Sequence, residues 1–227
     1  MSNIAIITAR GGSKRIPKKN IKEFIGKPML AYAIEAALDS KIFDEVMVST
    51  DSEEIAEVAK RYGAKVPFLR SARTASDSAT TFDALDEVIQ EYKKLGKVYD
   101  ILCCIYPCVP FLKSETLNDA YKKMDKHDAV IPVCKYPVPI EWAMKIENDL
   151  LIPNDRDAQN IRSQDIEPKY YDVGMFYFCR VKNMYEHNSL TPDNLTAYII
   201  DEKECQDIDT MDDWQMAEMK FKVMHNV

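Results

Sequence analysis

The 227-residue sequence contains no apolar run of the roughly 20 residues that a membrane-spanning helix needs. Its first apolar run, residues 4–9, is too short for a signal peptide, and basic residues follow this run instead of preceding it. Histidine is scarce, with three residues far apart, and none of the six cysteines forms a CxxC pair. We therefore expect a cytoplasmic protein with reduced thiols and no membrane partner.

The signatures GxxxxGK[ST] and GxGxxG are also missing, which argues against an ordinary ATPase or a dinucleotide enzyme. The net charge of −7 argues against an extended basic face of the kind that binds nucleic acid. Charge is nevertheless uneven, because residues 1–22 hold six of the 30 basic residues and none of the 37 acidic ones. A compact cationic segment on an acidic body predicts a small polyanionic ligand.

Short apolar runs alternate along the chain with helix-like patterns. Strands are predicted at residues 3–9, 45–50, 101–105, 129–133 and 170–178. Helices are predicted to begin at Pro28, at a capping box of Asp51 and Glu54, at Thr80, at Ser114, and at Thr210 capped with Asp213. This alternation predicts an α/β fold, with a mostly parallel sheet covered by helices on both faces, in a single domain over residues 1–227.

The alternation stops after Cys134, and three prolines punctuate residues 135–168. Helical periodicity is weak in this segment, which predicts hairpins and loops inserted into the main domain. Two interpretations stay open: an arm that packs against a second subunit, or a plain surface excursion.

A basic loop that contains two glycines, residues 9–20, follows the first predicted strand. Open α/β sheets bind ligands at the carboxyl ends of their strands, which is where this loop begins. The glycines would let the backbone turn tightly and present N–H groups, while Arg10, Lys14 and Lys19 would supply positive charge to phosphates. The alternative is a solvated basic loop without a ligand.

Residues 70–81 are rich in small hydrogen-bonding side chains directly before a predicted helix. Such a segment suits a pocket for a base and a ribose. The competing interpretation is that these residues only cap the helix, as Ser, Thr and Asp commonly do.

Two carboxylates, Asp207 and Asp209, alternate in an extended segment and should therefore point to the same side. Paired carboxylates suit a magnesium ion that also binds phosphate oxygens. Equally, Asp209 could belong to the capping turn of the last helix.

A polar block around Arg162 and an aromatic run over residues 170–178 form the last candidate region. An arginine beside polar neighbours can bind a substrate carboxylate through two parallel hydrogen bonds. The aromatic residues belong to a strand core more often than to a substrate wall.

These blocks, in this order, resemble the acylneuraminate cytidylyltransferase family, the CMP-sialic acid synthetases, over nearly the whole chain. The most specific motif is Ala-Arg-Gly-Gly-Ser-Lys at residues 9–14, followed by Lys-Asn at 19–20. Within the family, the forms of residues 162–165, 171–174 and 206–210 look like the pseudaminic acid branch.

The stretch Cys-Cys-Ile-Tyr-Pro at residues 103–107 looks like the same branch. Sialic acid and Kdo relatives tend to carry glutamine where this chain has Tyr106. The branch itself usually has His-Asp-Ala-Gly where this chain has Tyr-Asp-Val-Gly at residues 171–174. The departure bears on the identity of the sugar and not on the reaction.

The resemblance implies a Rossmann-like domain with a β-rich dimerisation arm and a homodimer. It also implies transfer of CMP from CTP to a nonulosonic acid, most closely pseudaminate, with release of pyrophosphate and with Mg²⁺ as cofactor. The same reaction on N-acetylneuraminate, legionaminate or Kdo is the nearest alternative. From other classes, a non-catalytic nucleotide-binding regulator and a phosphate-binding structural module remain.

Residue roles follow from the same resemblance, position by position. The nucleotide would be held by Arg10, Gly12, Ser13, Lys14, Lys19, Asn20, Arg70, Ser76, Asp77 and Thr80. The sugar would be held by Tyr106, Arg162, Gln164, Tyr171 and Asp172, and the metal by Asp207 and Asp209. The catalytic residues would be Arg10, Lys19 and Asp209. Because no histidine base is evident, the attacking hydroxyl is expected to lose its proton with help from Asp209 or water.

Overall fold

The computed structural model describes residues 1–226. Its strands are β1 (Asn3–Thr8), β2 (Glu23–Phe24), β3 (Lys27–Pro28), β4 (Glu45–Ser49), β5 (Ile101–Ile105), β6 (Ala129–Lys135), β7 (Met144–Glu147), β8 (Leu150–Pro153), β9 (Tyr170–Asp172), β10 (Phe176–Arg180) and β11 (Leu195–Ile199). Its α-helices are α1 (Met29–Ser40), α2 (Glu53–Arg61), α3 (Ala72–Ala75), α4 (Thr81–Lys94), α5 (Ser114–Lys122), α6 (Val181–His187) and α7 (Met211–His225). None of the helices described is long and apolar enough to cross a membrane.

Seven strands form the central sheet in the order β11-β6-β10-β5-β1-β4, with β9 paired to β6 beside that path. Pairs β1–β4, β1–β5 and β6–β11 are parallel, whereas β10 runs antiparallel to both β5 and β6. The prediction of a mostly parallel sheet is therefore confirmed. The antiparallel strand between β5 and β6 was not predicted.

Alternation along β1 explains why helices cover both faces of the sheet. Ala5 and Ile7 pack with α1 residues in one buried cluster, whereas Ile4 and Ile6 pack with α4 residues in another. Successive side chains of a strand point to opposite faces, so an uninterrupted apolar run requires cover on both. The predicted two-sided helical cover is confirmed.

Two predicted helix caps are wrong by one residue, and Pro28, predicted as a first helical residue, instead precedes α1, which begins at Met29. The cap of α2 is Ser52, whose Oγ accepts a hydrogen bond from the Ile55 N–H at 3.4 Å, and not Asp51. The Asp51 carboxylate is used elsewhere, because it accepts the Gly11 N–H at 2.7 Å. Similarly, α5 is preceded by Lys113, and Ser114 is its first residue. The cap of Thr210 with Asp213 is confirmed as a capping box, and the helix predicted from Thr80 is preceded by a second capping box, of Thr80 with Asp83, that was not predicted.

The predicted strand over residues 170–178 is wrong in one respect, since the chain breaks between β9 and β10. Gly174 lies in this break with φ of 62°, a left-handed conformation that side chains disfavour. The chain therefore pairs with β6 as strand β9 and, after the break, lies between β5 and β6 as strand β10.

Residues 135–168 contain the hairpin β7–β8, as the sequence predicts, and this hairpin is a separate two-stranded sheet. Its turn residues Asn148 and Asp149 both have positive φ, the backbone of a tight hairpin turn. Large apolar side chains face outward here, with exposures of 75% at Ile146, 65% at Leu150 and 63% at Leu151. The hairpin thus adds apolar surface that the protein's own core does not cover.

Candidate active site

The candidate site lies at the carboxyl ends of β1, β4 and β5. The chain passes from β1 to β4 on one side and later returns to β5 on the other, so β1 lies at a topological switch point. Loops diverge at such a point and leave a crevice above the strand ends, which is where open α/β sheets bind ligands.

Three adjoining cavities occupy this crevice. The basic cavity, about 420 Å³, is lined by Thr8, Arg10, Ser13, Lys14, Arg15, Ile16, Lys19, Asn20, Pro107 and Asp209. The hydroxyl cavity, about 250 Å³, is lined by Thr8, Arg10, Arg70, Thr74, Ser76, Asp77, Ala79, Thr80, Thr81, Ala84, Tyr106 and Pro107. The acidic cavity, about 560 Å³, is lined by Tyr106, Tyr171, Asp172, Val173, Gly174, Tyr177, Cys205, Gln206 and Asp207. Shared walls join them, since Arg10 borders the first two and Tyr106 borders the last two.

Aspartates neutralise the cations of the basic cavity. Asp77 pairs with Arg10 at 2.7 Å and with Lys14 at 2.6 Å, and both contacts lower the pKa of the Asp77 carboxyl, that of Lys14 most. Asp209 pairs with Arg15 at 2.8 Å and with Lys19 at 3.5 Å. These side chains are exposed or half-buried, so the pairs are weak and an incoming polyanion can replace them.

The two glycines of the loop differ in what they do. A side chain at Gly11 would begin 3.2 Å from the Ser52 Cβ, a tight contact, and the Gly11 N–H is already bonded to Asp51. At Gly12 an added Cβ would meet nothing within 4 Å. The expectation that both glycines offer their N–H groups to a ligand is therefore wrong for Gly11.

Asn20 fixes the other end of this loop. It is 4% exposed, and its Nδ2 donates to the Arg10 carbonyl at 2.9 Å. Its Oδ1 accepts from the Cys108 thiol at 3.4 Å. The amide therefore ties the start of the loop to its end and to the segment after β5.

A buried arginine forms the floor of the hydroxyl cavity. Arg70 is 9% exposed and donates from Nε to the Ser49 Oγ at 3.0 Å and from Nη2 to the Ser49 carbonyl at 2.9 Å. Burial lowers the pKa of its guanidinium. At the opposite wall, Ser76 donates to the Arg73 carbonyl at 2.8 Å, and Thr80 caps α4. The helix-capping interpretation is thus correct for Thr80, which lines the cavity at the same time.

Asp207 and Asp209 flank Ile208, which is 2% exposed and anchors the segment in the core. Asp209 faces the basic cavity and Asp207 the acidic cavity. Only the backbone N–H of Asp209 joins the α7 cap, through Asp213 at 3.1 Å, so its carboxylate is turned away from the cap. The pKa of the Cys108 thiol is raised to about 12, first by burial. The nearby charge of Lys19 lowers this pKa, and the charges of Asp207 and Asp209 raise it.

This donor set fits magnesium. The part of the chain that the structure describes has no group of three or more His, Cys, Asp and Glu side chains that could hold a metal on its own. Mg²⁺ prefers oxygen ligands and is commonly held by one or two carboxylates, with substrate phosphates and water completing its coordination. Asp209 in the basic cavity matches that preference, and Asp207 is the second carboxylate available, although it lines the acidic cavity and does not point to the same side as expected. That the two hold one ion together stays a prediction.

The structure separates the predicted sugar residues. Tyr106, Tyr171 and Asp172 line the acidic cavity together, as the sequence suggested. Gln164 instead lines a separate cavity of about 300 Å³ at the base of the hairpin segment, and Arg162 is exposed outside all three cavities. Both lie between β8 and β9, on the inserted segment, so their role stays a prediction.

Sequence reasoning missed three residues of the site. Asp51 holds the glycine loop, and Arg15 pairs with Asp209. Tyr177 lines the acidic cavity and donates to Asp172 at 2.9 Å. Nothing local marks Asp51 or Tyr177, whereas the position of Arg15 inside the basic motif was a usable signal.

A family model described as cytidylyltransferase matches residues 4–204. The pseudaminic acid cytidylyltransferase of Campylobacter jejuni serotype O:23/36 is 39% identical to this chain, covering 99% of it and 98% of the relative. The CMP-N,N'-diacetyllegionaminic acid synthase of Legionella pneumophila is 32% identical, covering 96% and 95%. Among solved structures, a CMP:2-keto-3-deoxy-manno-octonic acid synthetase complexed with CTP matches with a TM-score of 0.68 at 16% identity, over 100% of both chains.

Proposed function

The chain belongs to the cytidylyltransferase family, and from this premise we propose that it joins CMP from CTP to pseudaminate, with release of pyrophosphate. The observation that carries the proposal is the order of the three cavities, because a basic, a hydroxyl-lined and an acidic cavity meet at Arg10, Pro107 and Tyr106. The two substrates, CTP with its triphosphate and nucleoside and the acidic sugar beside it, would together fill all three.

In this proposal the triphosphate lies in the basic cavity. Arg10, Lys14, Arg15 and Lys19 exchange their aspartate partners for phosphate oxygens, and arginine suits this role because its donors match two oxygens at once. The cytidine lies in the hydroxyl cavity. Its ribose and base then meet small hydroxyl groups above the fixed guanidinium of Arg70.

The sugar lies in the acidic cavity, with its anomeric hydroxyl directed past Tyr106 and Pro107 towards the basic cavity. That hydroxyl attacks the α-phosphorus, the bond to the β-phosphate oxygen breaks, and pyrophosphate leaves. Arg10 and Lys19 stabilise the charge that builds on the phosphate oxygens, and Asp209 or water accepts the hydroxyl proton. Asp207 and Asp209 would hold Mg²⁺, which supplies charge neutralisation to the phosphates when bound.

We further propose a homodimer in the cytoplasm. In the hairpin β7–β8, Ile146 and Leu151 are paired directly across the two strands and share one face, and both are mostly exposed. Adjacent exposed apolar side chains of this kind suit an interaction site, and exposed Leu150 adds apolar surface on the opposite face. All six cysteines are free, which suits a reducing compartment.

The test is pyrophosphate release from CTP and Mg²⁺ with pseudaminate, legionaminate, N-acetylneuraminate and Kdo in parallel reactions. We expect release with pseudaminate at the highest kcat/KM. Release with another sugar alone would retain the reaction class and refute the pseudaminate assignment. CTP binding without release for any of these sugars would refute the proposal and favour a non-catalytic nucleotide binder.

A further inference from the structure

The acidic cavity contains no positive side chain. Among the described residues that line it, Asp172 and Asp207 carry negative charge and none is a lysine, an arginine or a histidine. The carboxylate of an acidic sugar would be repelled there, so it must point away from this cavity. The rest of the sugar, with its hydrogen-bond donors, therefore faces Asp172.

Asp172 is held as a fixed acceptor. Its Oδ1 accepts the Gly174 N–H at 2.8 Å, and both of its oxygens lie within hydrogen-bond distance of the Tyr177 hydroxyl, at 3.1 and 2.9 Å. The positive φ of Gly174 in the break between β9 and β10 turns its N–H back towards Asp172. The break in the strand thus holds the Asp172 carboxylate in a fixed position at the cavity wall.

Tyr177 is itself fixed in place. It is 9% exposed, and its ring lies 5.5 Å from the Tyr106 ring, whose hydroxyl lies 3.3 Å from the Thr81 Oγ1. Burial, and then the charge of Asp172, raise the pKa of the Tyr177 phenol far above its ordinary value. The hydroxyl therefore remains a donor to Asp172 at every pH at which the protein is assayed.

We propose that Asp172 is a specificity residue that accepts a hydrogen bond from an acylamino N–H of the sugar, and that Tyr177 is the positioning residue that orients it. An amide fits this wall better than a hydroxyl, because Tyr106 and Val173 beside Asp172 offer apolar surface to the acyl group. This inference rests on the proposed function and adds to it the group of the sugar that is recognised.

The first test is Tyr177→Phe, which retains the ring and removes only the donor. We expect the KM for pseudaminate to rise about tenfold, as for loss of one hydrogen bond to a charged group, with kcat and the KM for CTP within about twofold of the wild type. The matched control is Tyr185→Phe, which also removes a tyrosine–aspartate bond, to Asp86 at 2.9 Å, but outside the three cavities.

The second test uses analogues in which an N-acyl group of the sugar is replaced by O-acyl. The wild type should lose about tenfold in kcat/KM with the ester at the recognised position, and Asp172→Asn should lose this discrimination because it can offer an N–H to the ester oxygen. Equal use of amide and ester by the wild type would overturn the acylamino assignment. If the wild type is active and Tyr177→Phe has the same KM for the sugar, the positioning role is overturned. If the wild type is inactive with every sugar, the proposed function is refuted instead.

Discussion

Asp209 is the residue whose replacement most directly tests the proposed chemistry. It pairs with Arg15 and Lys19 in the basic cavity, and Lys19 also donates to the neighbouring Ile208 carbonyl at 2.6 Å. In the proposed reaction the same carboxylate binds the metal and helps to remove the hydroxyl proton. The change Asp209→Asn keeps the size of the side chain and removes its charge.

Two effects of opposite sign follow from this change. Turnover should fall by about 10²- to 10⁴-fold, the usual contribution of a positioned proton acceptor. Without Mg²⁺, however, CTP should bind more tightly, because Arg15 and Lys19 no longer have a carboxylate partner. Both ion pairs are at least one-third exposed on the aspartate side, where each contributes about 0–1 kcal/mol, so the two together limit the gain to about thirtyfold.

The assays are pyrophosphate release at saturating Mg²⁺ and calorimetric titration of CTP in the presence of a chelator. Asp212→Asn, an exposed aspartate in the first turn of α7, is the matched control and should change neither value. Near wild-type turnover of Asp209→Asn at saturating Mg²⁺ would refute its catalytic role. Weaker metal-free binding of CTP would refute the idea that Asp209 competes with the triphosphate.

Three further predictions concern stability and assembly. Gly174→Ala places a side chain at positive φ beside Tyr106 and should lower the free energy of unfolding by about 1–2 kcal/mol, measured by urea titration. Burial alone would raise the pKa of Glu45, but hydrogen bonds from two lysines and a tyrosine lower it overall. The contribution of Glu45 to stability is therefore complete above the unfolded pKa of about 4.3 and is lost as the pH falls through the lower folded pKa. In urea titrations at a series of pH values, Glu45→Gln should therefore lose less stability than the wild type as the pH falls through this range. If the chain forms the proposed dimer, Leu151→Asp on the hairpin should convert it to a monomer, as measured by light scattering, whereas Val98→Asp, exposed outside the hairpin segment, should not.

Much of the fold could be predicted because its signals are local. The strand that precedes the basic loop, the buried strand at β5 and the cap of Thr210 with Asp213 each depend on a few neighbouring residues. The sheet order could not be read in the same way. The antiparallel entry of β10 between β5 and β6 depends on pairing between segments about 75 and 50 residues apart in the chain, and the left-handed residue that permits it is one glycine among six.

The candidate site shows the same division. The basic loop was visible because its charges are close together in the sequence, but the groups that bind the loop are distant. Asp77 lies 67 positions from Arg10, and Asp51, which accepts the Gly11 N–H, lies 40 positions from Gly11. The sequence therefore indicated a polyanion site without its counter-charges. The hydroxyl residues were the hardest part of the site to predict, because the sequence before a helix looks the same whether a threonine caps the helix or lines a cavity. Thr80 does both in the structure.

The placement of the two aspartates affects how selective the site can be. A single phosphate entering the basic cavity would have to displace Asp77 or Asp209 from its cations, and the displaced carboxylate would then lie unpaired beside the new anion. If Asp209 holds Mg²⁺ as proposed, a triphosphate that brings the ion would avoid this cost at Asp209, and Arg15 and Lys19 would be available to the phosphates. In that proposal Asp77 and Asp209 would favour the metal–nucleotide complex over smaller anions, and the binding of the metal and of CTP would be coupled.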